Sequence, residues 1–387
     1  MAAHEVSRRS FLASAGVAGA ATLTAACAPQ AAPAPAVAPA AREQPPQKAA
    51  WEQQWDDLVV AAKKEGKISI ATIAGGAIRD AVATFEKAFP GITVEQQGFS
   101  SVSLLIPKVL QERDAGAYLW DVAQTSPNNL YNNLYPKGAL SPIRPLLFRP
   151  DVIGNNFWRN GFDYGFADDK DKQVAYNAFA NSNPLFWVNS DLVPDGKLTS
   201  VKDLLRPEWK GGKILLADVR NGNTWVAMAA VRQNLGDDAV KQLIVDQQPV
   251  FLRDARQIAE AMVRGQYAVA TGVTPQALAE FTDQGLGKNL KRIDLPEARN
   301  VSSKGSIMVF NRAPNPNAAK LFANWFLTKE TAQVWSKAIQ ENSRRTDVPP
   351  FDAALETKAD GKYLITSHIS NGAILTDTME YLVKLVS

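Results

Sequence analysis

The sequence predicts an α/β protein built as two lobes, each a mainly parallel sheet flanked by helices. Three observations lead there. Apolar runs of strand length pass through glycine or serine turns into segments with helical spacing, a unit that produces parallel sheets covered by helices. The unit recurs in two regions, separated by an irregular stretch at 141–172 rich in Pro, Asn and Phe. At 387 residues, 46% hydrophobic and 21% charged, the chain is long enough to bury two separate cores as an ordinary soluble protein.

Residues 1–26 read as an export signal, because Ser7-Arg8-Arg9-Ser10-Phe11-Leu12 precedes an Ala/Gly/Val-rich run ending in Leu23-Thr24-Ala25-Ala26-Cys27. The paired arginines resemble the twin-arginine signal. Small residues before a lone cysteine resemble a bacterial lipobox, although Thr24 stands where that motif usually has Leu. Cys27 is therefore expected to be the lipidated first residue of the mature chain. The run from Phe11 to Ala26 is too short for a membrane span, and no later stretch approaches the needed length. Residues 27–50 form an Ala/Pro/Gln linker, unable to build a core and suited to a tether. The expected location is the outer face of the cytoplasmic membrane or the periplasm.

In the body, Trp51, Trp55, Leu58, Val59 and Ala62 recur at helical spacing, and Gly66 ends that helix. Lys67 to Ile73 reads as a buried strand, followed by Gly75-Gly76 and a helix carrying Ile78, Val82, Phe85 and Phe89 on one face. Ile92–Val94, Ser100-Ser101 and Val102–Arg113 repeat the unit, with Pro107 expected to kink the helix or lie in its first turn. Trp120–Gln124 is a third strand, and Ser126-Pro127 opens another helix. Gln173–Tyr176 and Leu185–Val188 are short strands around Asn181-Ser182-Asn183-Pro184. The second region then runs as strand Ile214–Leu216, helices Trp225–Leu235 and Asp238–Val245, strand Val250–Leu252, helix Ala255–Arg264, strand Tyr267–Thr271 and helix Pro275–Thr282.

Composition excludes several chemistries. Cys27 is the single cysteine, so no intramolecular disulfide or thiolate cluster can form. His4 falls in the leader and only His368 remains in the body, which leaves neither a multi-histidine metal site nor a Ser-His-Asp triad to assemble. An exported hydrolase also lacks the Gly-x-Ser-x-Gly elbow. The net charge is +3, of which Glu5, Arg8 and Arg9 in the leader supply +1 and the body +2, far from nucleic-acid-scale basicity. Gly75-Gly76 lacks the GxGxxG spacing and acidic partner of a dinucleotide fingerprint, so no nucleotide cofactor is expected.

Ligands of parallel sheets gather beyond the carboxyl ends of the strands. In the first region this selects Thr72, Gly75, Gly76, Ser101 and Ser126. In the second it selects the turn Asp218-Val219-Arg220-Asn221-Gly222-Asn223-Thr224, where a helix start leaves backbone N–H groups free and positive. Arg220, Asn221, Gly222, Asn223 and Thr224 are candidate contacts, joined by Arg253 and by Arg344 or Arg345, the latter alternatively a structural partner of Asp347. Trp187 and Trp225 read as packing residues. Guanidinium forks and helix starts suit carboxylate, phosphate or phosphonate, whereas a polyamine would want acids and aromatics.

Several segments, in this order, resemble substrate-binding proteins of bacterial ABC importers, in the type II periplasmic binding protein fold and nearest the ferric-iron-binding-like group. They are Phe186-Trp187-Val188-Asn189-Ser190-Asp191-Leu192-Val193, Pro207-Glu208-Trp209-Lys210-Gly211, Arg264-Gly265-Gln266-Tyr267-Ala268-Val269-Ala270, Asn317–Thr331 and Ser343-Arg344-Arg345-Thr346-Asp347-Val348-Pro349. The resemblance implies two lobes joined by crossing hinge strands, a small ligand held in the cleft, a membrane permease as partner and a monomer that catalyses nothing. The expected lobes are residues 67–178 with 298–342 and residues 179–297 with 343–387. Ferric-binding members place adjacent tyrosines after the strand corresponding to Tyr267–Thr271; here stands Gly272-Val273-Thr274-Pro275-Gln276. A small organic anion, with or without a metal, is the expected ligand. Ferric iron binding without the usual tyrosine pair, or a sensory lipoprotein on the same fold, is the alternative.

Overall fold

The computed structural model describes residues 48–358 and 361–387; the leader and Cys27 lie outside them. The first part of the chain comprises α1 (Ala50–Glu65), β1 (Lys67–Ile73), α2 (Gly76–Ala88), β2 (Thr93–Phe99), α3 (Val102–Asp114), β3 (Val122–Thr125), α4 (Pro127–Leu134), β4 (Leu140–Ser141), α5 (Pro150–Ile153) and β5 (Tyr176–Asn177). Then come β6 (Asn181–Ser182), β7 (Phe186–Asn189), α6 (Val201–Leu204), β8 (Ile214–Ala217), α7 (Gly222–Leu235), α8 (Asp237–Lys241), β9 (Val250–Leu252), α9 (Ala255–Val263), β10 (Val269–Thr271), α10 (Pro275–Thr282) and β11 (Leu290–Ile293). The last part holds β12 (Asn300–Ser302), β13 (Ser306–Phe310), α11 (Pro316–Phe326), α12 (Lys329–Ile339), β14 (Leu364–Ile365) and α13 (Gly372–Val386).

Two sheets carry the two lobes. In the first, β1 pairs in parallel with β2 and β3, and β13 pairs antiparallel with β3, β4 and β5. In the second, β8 pairs in parallel with β9 and β10, while β7 runs antiparallel between β10 and β11. Each sheet thus has three parallel strands on one side and antiparallel pairings on the other. Strand side chains alternate faces, so each sheet feeds two cores. Ile68, Ile70 and Val122 pack toward Phe85, Phe322 and Trp335, while Ala71 and Ala123 face Leu105, Val109 and Leu130. Ile214 and Leu216 meet Met228 and Val231, while Leu215 and Ala217 meet Ile258 and Met262.

The chain passes between the sheets three times: after β5, before β13, and between Val348 and α13. Each crossing contributes one strand to a small third sheet, in which β12 pairs in parallel with β14 and antiparallel with β6. Residues 343–348, expected with the second lobe, pair with the first. Bridges join Phe179 to Ser343 and Trp158 to Arg345, because the Arg345 guanidinium is anchored among first-lobe carbonyls. Only the end of the chain joins the second lobe, where α13 lies along α7 and buries Leu382 in its core.

Local differences from expectation have local causes. Helix α7 starts at Gly222 and not at Trp225, because the Asn221 side chain accepts from the Asn223 amide at 2.9 Å and caps the helix early. Helix α3 runs on through Pro107 to Asp114. Among the described residues no helix is long and apolar enough to cross a membrane.

Candidate functional site

Parallel pairing brings the carboxyl ends of β1, β2 and β3 to one edge, with Thr72 opposite both Gly98 and Gln124. From this edge start α2 after Gly75, α3 after Ser101 and α4 after Ser126. Gly75, Gly76, Ser101 and Ser126 are exposed there. Ser101 caps α3 by accepting from the Ser103 amide at 3.2 Å, whereas Ser126 makes no capping bond. Thr72 is buried and its hydroxyl is engaged, donating to the Ile73 carbonyl at 2.9 Å and accepting from Gln96 Nε2 at 2.8 Å.

Because β13 runs antiparallel to β3, its first residue joins this edge: Ser306 lies opposite Thr125 and Asn177. Around it sits a buried polar cluster. Ser306 donates to Asn177 Oδ1, Asn177 Nδ2 donates to Ser367 at 3.2 Å, and Asn128 Nδ2 donates to the Thr366 carbonyl at 2.7 Å. Gln124 Oε1, Thr125 Oγ1 and Asn128 Oδ1 have no hydrogen-bond partner among the described residues, which leaves the edge short of donors. Sequence reasoning missed this cluster. The signal was the density of Ser and Asn at the crossings, Asn177 to Asn183 and Asn300 to Ser306.

The second sheet repeats the arrangement. Helices α7, α9 and α10 start from the carboxyl ends of β8, β9 and β10. Asp218 sits between Arg220 at 3.5 Å and Arg253 at 3.1 Å. The Arg220 amide foremost, then the Arg253 guanidinium, hold its carboxyl below the ordinary carboxylate range. One carboxylate serves two arginines, so a positive charge is left over, and the side chains are 59% and 85% exposed, open to a ligand. Gly222 is exposed and Asn221 and Asn223 are half-buried at the helix start. Thr224 is fully buried; its hydroxyl donates to the Ala217 carbonyl at 2.9 Å and lies 2.8 Å from Thr271 Oγ1. It holds the turn to the sheet.

The first turns of α2, α3, α4, α7, α9 and α10 contain no acidic residue, and of their caps only that of α9 is acidic, Asp254 accepting from the Gln257 amide at 2.8 Å. Away from these edges, α1, α5, α6, α8 and α12 carry Asp or Glu there, the usual complement to a positive helix start, whereas α11 and α13 do not.

Arg345 stands apart from both edges. It is 1% exposed, bidentate to Asp347 at 2.8 and 2.9 Å, and its Nη1 donates to the Asp151 and Leu327 carbonyls, so its donors are committed inside the first lobe. After β10, Thr274 caps α10, and Tyr267 packs beside the core containing Met262 and Leu278. Among the described residues no group of three or more His, Cys, Asp or Glu side chains is placed to hold a metal ion.

A profile of the bacterial extracellular solute-binding proteins matches residues 80–363. The chain belongs to that family. Solved structures with the same two-lobed fold agree. A Bordetella ferric binding protein aligns with a TM-score of 0.63 at 16% identity, covering 83% of this chain and 99% of its own. A Trichodesmium protein in complex with iron and citrate reaches 0.62 at 17%, with 83% and 99% covered. The spermidine/putrescine ABC transporter substrate-binding protein of Streptococcus pneumoniae reaches 0.56 at 18%, again with 83% and 99% covered. At these identities the likeness shows the fold of this solute-binding protein and leaves its solute to the site. No curated protein matches the sequence.

Proposed function

We propose that this solute-binding protein is the receptor of an ABC importer and captures a small anion between its lobes without chemical change. The observation that carries this reading is the set of five helix starts at the two sheet edges, those of α2, α3, α4, α7 and α10, with no acid at the cap or in the first turn, and with the exposed Arg220 and Arg253 beside one of them. Oriented amides and guanidinium groups favour a carboxylate, phosphate or phosphonate, whereas a polyamine of the kind named for the Streptococcus relative would find there, among the described residues, only Asp218, already shared by two arginines, and Asp254, engaged in capping α9. Gly75, Gly76, Ser101, Ser126, Asn221, Gly222 and Asn223 are the proposed contacts, with Thr72 and Thr224 supporting the turns from behind. Within the anions, the spare acceptors of Gln124, Thr125 and Asn128 favour a ligand carrying hydroxyl donors, such as a sugar phosphate or a hydroxycarboxylate. A ferric complex of such an anion fits the relatives named for iron; the missing tyrosine pair speaks against bare ferric ion.

The test is calorimetric titration with sugar phosphates, phosphonates, hydroxycarboxylates, ferric citrate and spermidine. One anion is expected to bind at one per chain, to raise the melting temperature and to be recovered unaltered. Heat from spermidine alone, or from none of the anions, would refute the reading. For the tether we propose lipidation at Cys27 after export through a twin-arginine signal; mass spectrometry of the mature N-terminus from membranes is expected to find a diacylglyceryl cysteine, and an unmodified residue there would rule the anchor out.

A further inference from the structure

Behind the three crossings the protein encloses a second cavity, of about 50 Å³. It borders the first sheet's edge, whose Asn177 and Ser367 line it, and shares no residue with the edge of the second sheet. In the third sheet Val301 pairs with Ile365 and both line the cavity, while the next residue, Leu364, turns the other way to pack on Ala229 and Ala230 of α7. The cavity therefore lies on the face of the small sheet away from α7, against the first lobe, and residues of all three crossings line it: Ala180, Val301 and Ile365.

Its centre of interest is Arg344, which is 7% exposed. Arg344 donates to the Asn177 carbonyl at 3.2 Å and to the Arg159 carbonyl at 2.8 Å, and its guanidinium lies 5.0 Å from the Tyr164 ring. Among the described residues no carboxylate pairs with it, whereas the other cations on the cavity wall are matched, Arg159 by Glu356 and Lys358 by Asp294. Burial, with Arg159 nearby, pushes its guanidinium below the ordinary arginine range. A buried cation without a counter-ion is costly, and an anion beside it relieves the cost. Donors are at hand. Ser343 accepts from the Arg345 amide and Ser367 accepts from Asn177, so each hydroxyl keeps its proton to give. One water needs roughly 10–15 Å³ of such space, so a four- or five-atom oxyanion fits.

We propose that this cavity is a second anion site, taking a small oxyanion of sulfate or phosphate size on Arg344, Ser343 and Ser367, and that its occupant ties the three crossings together. The experiment is diffraction from crystals of the whole protein grown with excess selenate, read by its anomalous signal, together with melting curves in sulfate against chloride at constant ionic strength. The expected result is an anomalous peak beside Arg344 and a sulfate-dependent rise in melting temperature, both kept in Arg220→Ala/Arg253→Ala, whose cleft arginines are gone. In Arg344→Met the rise is expected to vanish, and in Ser343→Ala/Ser367→Ala to shrink. A wild-type cavity without selenate, or an undiminished rise in Arg344→Met, would overturn the proposal; if Arg344→Met does not fold, the wild-type diffraction result decides alone. Loss of the peak in the cleft double variant would mean that the anion had been bound at the sheet edge and would equally overturn it.

Discussion

Replacing Glu341 with Gln probes how the second crossing is held. Glu341 is 2% exposed, and both its oxygens accept from the Lys304 amide, at 3.1 and 2.9 Å, between β12 and β13. Gln124 grips the carbonyl of the same residue at 3.1 Å. Burial, opposed by the Lys304 amide, pushes the carboxyl from its ordinary 4.5 up to about 7. The folded chain therefore holds this proton more tightly than the unfolded chain does. Its contribution to stability is complete below pH 4.5, declines as the pH rises through about 7, and is then gone. At ~1.4 kcal/mol per tenfold change the whole span amounts to roughly 3 kcal/mol. Glutamine resembles the protonated acid, so Glu341→Gln is expected to match the wild type at acid pH and to exceed it by about 2–3 kcal/mol at mildly alkaline pH, less any cost of its extra buried donor. Urea unfolding of both proteins across that range reads the difference directly, and other titrating groups cancel in the subtraction. Parallel stability curves for the two proteins would show that burial does not perturb this carboxyl and would defeat the reasoning.

Three further outcomes are expected. Arg220→Ala and Arg253→Ala should each weaken the bound anion by about 1.5–3 kcal/mol if their charged hydrogen bonds form, measured by calorimetry, with folding stability unchanged because both side chains are exposed. Arg345→Met should leave affinity alone and cost roughly 3–5 kcal/mol of stability, since it strands Asp347 and two carbonyls in the first lobe; a ligand-binding defect with normal unfolding would reverse that assignment. Gly272→Ala should destabilise by about 1–3 kcal/mol or more, because φ is 84° and the new Cβ would stand 2.5 Å from that of Ala217, and a variant melting with the wild type would contradict the packing described.

Much of the fold could be read from the chain because its elements obey local rules. Gly66, with φ at 75°, ends α1 as a left-handed cap must, and Lys67–Ile73 forms a strand over the expected residues because its apolar run is bounded by that glycine and by Gly75-Gly76. The candidate contacts were harder to read, because a side chain's partners lie far away in sequence. Thr224 and Ser101 look alike as hydroxyl residues at helix starts, yet Thr224 turns inward to Ala217 and Thr271 while Ser101 stays exposed. Arg344 and Arg345 are neighbours in the chain but one is paired with Asp347 and the other is not, a difference decided by which first-lobe carbonyls each meets. The Asn177, Ser306 and Ser367 cluster joins three crossings, and no periodicity connects positions so far apart.

The small ribbon formed by β6, β12 and β14 limits how the jaws can travel. Three connections knitted side by side flex together, like a leaf spring, so sliding or free swivelling of one half past the other would tear a ladder, whereas bending across the ribbon need not. A protease nick in any single strap would leave two others stitched, and the cut protein should still elute as one body.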